Sequence, residues 1–509
     1  MIIQKSRKKY ILIGLILAGM ICILCFRCTN YLTVYHKNTE LNFFLNRVLS
    51  EKKDFYYYDP AVRNNISDTL PIGIFDSGTG GLTVLEAILN FDNYVESNKE
   101  YNNEGDGVKD FVNERFTYFG DQANMPYGNY NDMQKNYFLK ELILRDALFL
   151  LGNKYFKTPA DTKWQTGKQP VKLIVIACNT ATANGKNDVE EMLLKAGSKI
   201  HVIGVIDAGV RGTLSSFEKS ENGTAAVIAT AGTVSSNGYL NTFNSMISDL
   251  GYSGDIEFFQ QSGFGIAEAV DEEPNFILRN AADIRENYKG PSFTSQYEKI
   301  KHELLAVYNF DTTGSALLFR RKNNQYSEIQ LNSPENYIRY HLVNLCEQLK
   351  MKHVKYPLKT LILGCTHYPF YFDFFQSTLK ELYDLKINNE YIYRDVLSDN
   401  VILIDPAINT AKETHEYLFS TALRNRKEGT KTSEFYISVP AINNKKVRLD
   451  ANNNFTYEYK YSRDVNHFYD TRQVPLNGSS TSEEIMNRIK AMLPGTYPLI
   501  MKFNQLPEK

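Results

Sequence analysis

Residues 174–183 read IVIACNTATA, and residues 360–370 read TLILGCTHYPF. In each, an apolar run stops abruptly on a cysteine that is followed by small polar residues. A run that is apolar on both parities is what a strand covered on both faces requires. From Pro71 onward such runs recur: IGIF (72–75), FTYFG (116–120), LIVIA (173–177), HVIGVI (201–206), AAVIAT (225–230), TLILG (360–364) and VILID (401–405). Helical patterns alternate with them, and this alternation predicts an α/β fold with mainly parallel sheets.

Strands followed by small polar turns occur at Asp76, at Cys178, in ATAGTVSSNGY (229–239) and at Cys365. Taken in order, a glycine-rich turn followed by a cysteine turn appears twice. The pattern predicts two similar α/β halves, each placing one cysteine at the carboxyl end of a strand, where open α/β sheets bind ligands. With the halves facing each other, the thiols stand on opposite sides of one cleft. The expected layout is residues 71–200 for the first half and 201–400 for the second, with an insertion at 274–336. Residues 401–420 then return to the first half, and 421–509 form an extension with strand-like SEFYISV and NNFTYEYKY segments. The stretches 93–113 and 152–170 read as surface excursions. A helix is expected to resume at Ser333, an N-cap with Pro334 at the first helical position and Ile338, Leu342, Leu345 and Leu349 along one face.

The turn in PIGIFDSGTGGLTVLEAIL (71–89) invites a phosphate-loop reading, because glycines admit close ligands and a helix N-terminus favours anions. The P-loop, however, needs Lys and Ser/Thr after its last glycine, and here Leu82 follows Gly81; dinucleotide spacing fails as well. What remains is a small-anion turn with a carboxylate, Asp76, at the strand end.

A thiolate serves as base or nucleophile near neutral pH. A base on one face of a carbon and an acid on the other invert that centre. Asp76 and His367 stand close in sequence to the two thiols. Alternative readings are buried packing cysteines, a disulfide, and a zinc site from Cys178, Cys365 and His367, although C-x-H is not a usual ligand spacing.

The chain of 509 residues has room for two or three domains. Its 57 basic and 58 acidic residues nearly balance, which gives no basic field for nucleic acid. Residues 1–30 read as a targeting segment: Lys5, Arg7, Lys8 and Lys9 precede sixteen uncharged residues, Ile11 to Phe26. A membrane anchor through 11–26 is expected, followed by a linker over 31–70. Cleavage, or lipidation at Cys22, Cys25 or Cys28, is the alternative. The basic flank favours export of the chain beyond the anchor.

Seven segments together resemble the glutamate racemases, cofactor-independent enzymes of the aspartate/glutamate racemase family. They are GIFDSGTGGLTVL, YFGDQANMPYG, IACNTATA, GVIDAGV, IATAGTVSSNGY, LGCTHYP and LIDPA, in the family's order over residues 71 to about 420. The resemblance implies two α/β domains with the active site between them and interconversion of L- and D-glutamate. D-glutamate feeds peptidoglycan synthesis, and so cell-wall biogenesis and cell shape. By resemblance, Cys178 removes the α-proton of D-glutamate and Cys365 acts on the face of L-glutamate. Asp76 supports Cys178, His367 supports Cys365, and Glu268 is the candidate for the family's catalytic glutamate. Asp76, Ser77, Tyr127, Gly128, Asn179, Thr180, Thr233 and Thr366 hold the substrate. The chain departs from the family pattern at Asn129 and Tyr130, where Arg or Pro usually follows PYG. The family is cytoplasmic, whereas the charge pattern favours export, so the side of the membrane is left open.

No pyridoxal lysine motif, metal cluster or nucleotide fingerprint is evident, so no cofactor is expected. The expected partner is the small-molecule substrate, with no nucleic acid; a homodimer is left open. The rival readings are an aspartate racemase, a single-thiol lyase, and a non-catalytic binding protein that has kept the cleft.

Overall fold

A computed structural model describes residues 41–60, 65–102, 104–296, 298–427, 432–466 and 469–505. The expected anchor at 11–26 lies outside these residues. Among the described residues no helix is long and apolar enough to cross a membrane.

Ten strands form two sheets. In chain order they are β1 (Ile72–Asp76), β2 (Phe116–Gly120), β3 (Leu173–Ile176), β4 (His201–Gly204), β5 (Gly223–Ala229), β6 (Ile256–Ser262), β7 (Leu358–Gly364), β8 (Leu397–Ile404), β9 (Glu434–Pro440) and β10 (Thr471–Pro475). The first sheet runs β10-β9-β2-β1-β3-β4 and the second β6-β5-β7-β8. Every pairing is parallel except β9 with β10. The fold is therefore mixed α/β with parallel sheets, and β1, β2 and β3 are buried at every position. Helices cover both faces of each sheet, which explains the continuous apolar runs in the sequence.

Both sheets reverse direction at their first strand. In the first, β2 lies on one side of β1 and β3 on the other; in the second, β6 and β7 flank β5 in the same way. Such switch points open a crevice at the carboxyl ends of the strands. The crevices sit between the turns after β1 and β3, and between the turns after β5 and β7.

The expected boundary between the halves needs correction. HVIGVI (201–206) divides at Gly204: residues 201–204 pair with β3 in the first sheet, and Val205 starts the helix Val205–Leu214. Gly204 supplies the extended backbone that ends the strand. The helix then buries Ile206, Val210 and Leu214 against Ala225, Val227 and Ile362 of the second sheet. The strand at 397–404 likewise belongs to the second sheet, so it is the following helix, Pro406–Ser420, that crosses back and packs on Leu82–Asn90.

The extension after 421 is not an appendage, because its β9 pairs with β2 and its β10 closes the sheet edge. Phe435, Tyr436, Ile437, Val474, Ile489 and Ile500 enter the first core. NNFTYEYKY, which reads as strand-like, instead forms the helix Tyr457–Ser462, capped by the Thr456 hydroxyl on the Tyr459 N–H. The insertion at 274–336 carries the hairpin Leu317–Lys322/Gln325–Leu331 and packs Phe276, Ile300, Tyr308 and Leu331 into the second core. Ser333 caps the helix Pro334–Lys352, whose Ile338, Leu342, Leu345 and Leu349 are all buried.

Candidate active site

Cys178 and Cys365 occupy equivalent places, just past the ends of β3 and β7 with their strands' neighbours in matching order. Both are free thiols and both are buried. The halves meet at the glycine turn. A Cβ placed on Gly80 would lie 2.9 Å from Thr366 Oγ1, 3.4 Å from Asp76 Oδ2 and 3.4 Å from His367 Cε1. Only glycine allows that approach. A second glycine pair touches nearby: a Cβ on Gly232 would sit 2.7 Å from the Gly128 Cα. A cavity of about 140 Å³ has Thr83 and Asn179 from the first half and Cys365 and Thr366 from the second in its wall.

In the first half, Cys178 is the N-cap of the helix Asn179–Lys195, and its sulfur accepts the Ala181 N–H at 3.5 Å. The thiol and the Ser77 hydroxyl stand 3.7 Å apart. Burial pushes the thiol upward and the Asp76 carboxylate adds to this, while Ala181 and Ser77 pull the other way. Asp76 itself accepts the Gly81 N–H at 2.7 Å, so it is tied to the turn. The net result is a thiol that holds its proton until something cationic offsets Asp76.

In the second half, His367 bridges two groups. Its Nδ1 lies 3.5 Å from Cys365 Sγ and also 3.5 Å from Thr366 Oγ1, and its Nε2 lies 3.2 Å from Asp271 Oδ1. Burial opposes charge on the ring, but Asp271 and the Cys365 sulfur prevail and raise His367 well above its usual range. The ring thus stands in direct contact with the sulfur.

Glu268, the expected catalytic glutamate, lies on the short helix Ile266–Val270, and burial raises its carboxyl. Asp271, the residue that ends that helix, is the acid in contact with His367. The two acids are three apart, so they share one helical face; AEAVDEE therefore offered the signal without deciding between them. Burial pushes the Asp271 carboxyl up, but His367 and Arg488 together bring it below its ordinary value.

Among the expected substrate-binding residues, Asn179 accepts the Tyr239 hydroxyl at 2.8 Å, and Thr233 shares a 3.0 Å hydroxyl contact with Thr230. Thr180 is buried at the head of the Cys178 helix. Tyr127 does not turn its hydroxyl to the cleft: that group lies 2.6 Å from both Asp121 and Asp146, deep in the first half. Burial raises both carboxyls. The Gly128 backbone is what meets the second half, at Gly232.

Asn129 and Tyr130 have partners in the extension. Asn129 Nδ2 donates to the Tyr461 hydroxyl at 3.0 Å, and the Tyr130 hydroxyl accepts from Arg463 at 3.1 Å. Arg463 is fully buried and also binds Asp470 and Asn124, each at 2.6 Å. No sequence spacing announces these contacts, since the partners lie more than 300 residues apart.

No family model matches the chain. Among curated proteins it is similar to glutamate racemase 1 of Caldanaerobacter subterraneus subsp. tengcongensis, 26% identical over 360 residues, 70% of this chain and 84% of the relative. The glutamate racemase of Oceanobacillus iheyensis is 25% identical over 365 residues, 72% and 85% of the two chains. Among solved structures, the glutamate racemase of Francisella tularensis subsp. tularensis SCHU S4 in complex with D-glutamate aligns at 23% identity over 79% of this chain and 96% of that one, with a TM-score of 0.41.

Proposed function

We propose, from the premise that this chain belongs to the glutamate racemase family, that it is an isomerase interconverting L- and D-glutamate by proton transfer between two thiols on opposite faces of the α-carbon. One observation carries the reading: two free cysteines stand at equivalent strand ends of two matched sheets whose active turns touch.

The two environments dictate the chemistry. An amino acid entering with its ammonium group beside Asp76 brings the cation that favours a Cys178 thiolate. That thiolate takes the α-proton from the D face. On the other face Cys365, with its proton balance held by His367 and Asp271, delivers a proton to give L-glutamate. In the reverse direction the thiols exchange roles, as microscopic reversibility requires. Ser77, Asn179, Thr180, Thr233 and Thr366 supply hydroxyl and amide groups for the carboxylates. Gly128 supports the rim through its backbone, while the Tyr127 hydroxyl is committed to Asp121 and Asp146.

The product D-glutamate would serve peptidoglycan synthesis. The sixteen uncharged residues behind four cations at the N-terminus support a membrane anchor through 11–26. A homodimer is compatible with this reading and is tested by sedimentation of the same protein.

The experiment incubates reduced protein with L-glutamate, and L-aspartate in parallel, in deuterated water without added cofactor. Loss of optical rotation with glutamate, together with deuterium at the α-carbon, is the expected result. Rotation lost only with aspartate would move the substrate assignment, and no α-deuterium with either would leave a binding protein.

A further inference from the structure

The extension reaches the cleft in a second place. Helix Glu483–Met492 brings Arg488 onto Asp271, with Nη1 2.6 Å from Oδ1. This is the same oxygen that faces His367 Nε2. Ile489, Met492 and Leu493 continue the contact as walls of the cavities beside Cys365 and His367. Just beyond, the chain is fastened to the other half. Glu86 accepts the Gly495 N–H at 2.9 Å, the Thr496 N–H at 2.8 Å and the Thr496 hydroxyl at 2.8 Å. Within nine residues the extension therefore grips the first half through Glu86 and the second through Asp271.

Resting on the racemase reading above, the geometry points to Arg488 as a positioning residue of the active site: delivered by the C-terminal extension, it holds the Asp271 carboxylate against His367 and thereby orients the imidazole on Cys365. A plain surface ion pair would contribute little and could be lost without consequence. This one is one-third exposed and ends on the carboxylate that fixes a ring in contact with a reacting sulfur. A carboxylate held by two cations has one orientation; held by the ring alone, it is free to rotate toward water. Arg488 reaches the site through Asp271 and His367, so its loss is expected to act on one thiol only.

That one-sidedness provides the test. Full-length wild type, R488Q and R488K are compared with α-deuterated L- and D-glutamate as substrates. R488Q is expected to lose about tenfold in kcat, the scale of a misoriented catalytic group. Its isotope effect should rise from L-glutamate, where Cys365 is the base, and fall from D-glutamate, where delivery by Cys365 follows the isotope-sensitive step. R488K, which keeps a cation for the single contact, should restore both. Isotope effects that stay at wild-type values, or that move equally for both substrates, overturn the proposal. A second measurement needs no turnover: iodoacetamide labelling of each cysteine, read by peptide mass spectrometry. R488Q should label Cys365 more slowly, since the imidazole in contact with its sulfur is no longer held in place, and leave Cys178 unchanged. Equal labelling of Cys365 in wild type and R488Q overturns the proposal even if the wild type proves inactive on glutamate, the result that separately defeats the racemase reading.

Discussion

The first half places its thiol at the head of a 17-residue helix, next to a carboxylate; the second places its thiol before a short 3₁₀ turn, next to a histidine. The sheets beneath are alike, with β1-β2-β3-β4 in the first matched by β5-β6-β7-β8 in the second. Topology thus gives the two sulfurs matching places in their sheets, and the turns explain why their surroundings differ. Burial and Asp76 push Cys178 upward, so its anion waits for a cation from outside. Cys365 has its cation built in, with His367 raised well above its usual range. The pair is therefore asymmetric: one sulfur has a carboxylate beside it and the other a histidine.

The strongest way to break the comparison is to remove either sulfur. Cys178→Ala and Cys365→Ala should each lower racemisation by at least about 10³-fold, the range of a lost general base, because inversion needs both faces. Activity retained in one variant, measured by polarimetry, would mean that the halves do not share a reaction. Next comes Asp76→Asn, where two readouts move in opposite directions. Removing the carboxylate removes a charge that raises Cys178, so the labelling-versus-pH curve of that thiol shifts to lower pH. Turnover falls nonetheless, by about 10²-fold, because the partner for the ammonium group is gone. A Cys178 labelling curve that stays in place would show that Asp76 does not act on the sulfur.

Much of this arrangement was legible in the sequence because it is local. Strand, turn and helix around Asp76, Cys178 and Cys365 each fit within about twenty residues, and β1, β2, β3, β5 and β7 are buried strands that announce themselves as apolar runs. His367 could be paired with Cys365 because the two stand two positions apart. The edge strand β6, half-exposed at every position, gave no such run. Asp271 was displaced from notice by Glu268 on the same helical face. Arg488, 217 residues from Asp271, and Tyr461, 332 residues from Asn129, could not be found by any spacing rule, since only the folded extension brings them in. The same holds for β9 and β10: strand character was visible at SEFYISV, but its partner β2 lies some 300 residues earlier.

Two glycines sharpen the contrast between packing within a half and packing between halves. In Gly232→Ala the new methyl meets the Gly128 backbone across the cleft, at 2.7 Å. Backbone cannot yield as a side chain does, so the halves must separate, and kcat/KM should fall about tenfold or more with little change in Tm. In Gly185→Ala the methyl meets Ile143, also at 2.7 Å, but inside the first half. That change should cost about 1–3 kcal/mol of stability, read as a lower Tm, with kcat/KM nearly intact. If both variants behave alike, the Gly128–Gly232 contact does not set the geometry of the cleft.

The smallest effect concerns the last matched pair of strand ends, β4 and β8. Gly204 ends the first and offers no side chain to the helix Val205–Leu214, whereas Asp405 ends the second and caps Pro406–Ser420 by accepting the Ala407 N–H at 2.8 Å. Burial pushes the Asp405 carboxyl up to about 6, more than the Ala407 and Ile408 N–H groups can offset. A folded-state value raised above the unfolded one favours the protonated form in the fold. Its contribution to stability is complete below the usual carboxylate range and is lost as pH rises through about 6. Asp405→Asn keeps an acceptor for Ala407 and cannot ionise. The variant should therefore match the wild type near pH 3 and exceed it above pH 7, by about 2 °C in Tm for a chain of this size. A gap that is constant between those pH values would mean the carboxyl ionises in the fold as freely as in water, and the two strand ends would then differ in capping alone.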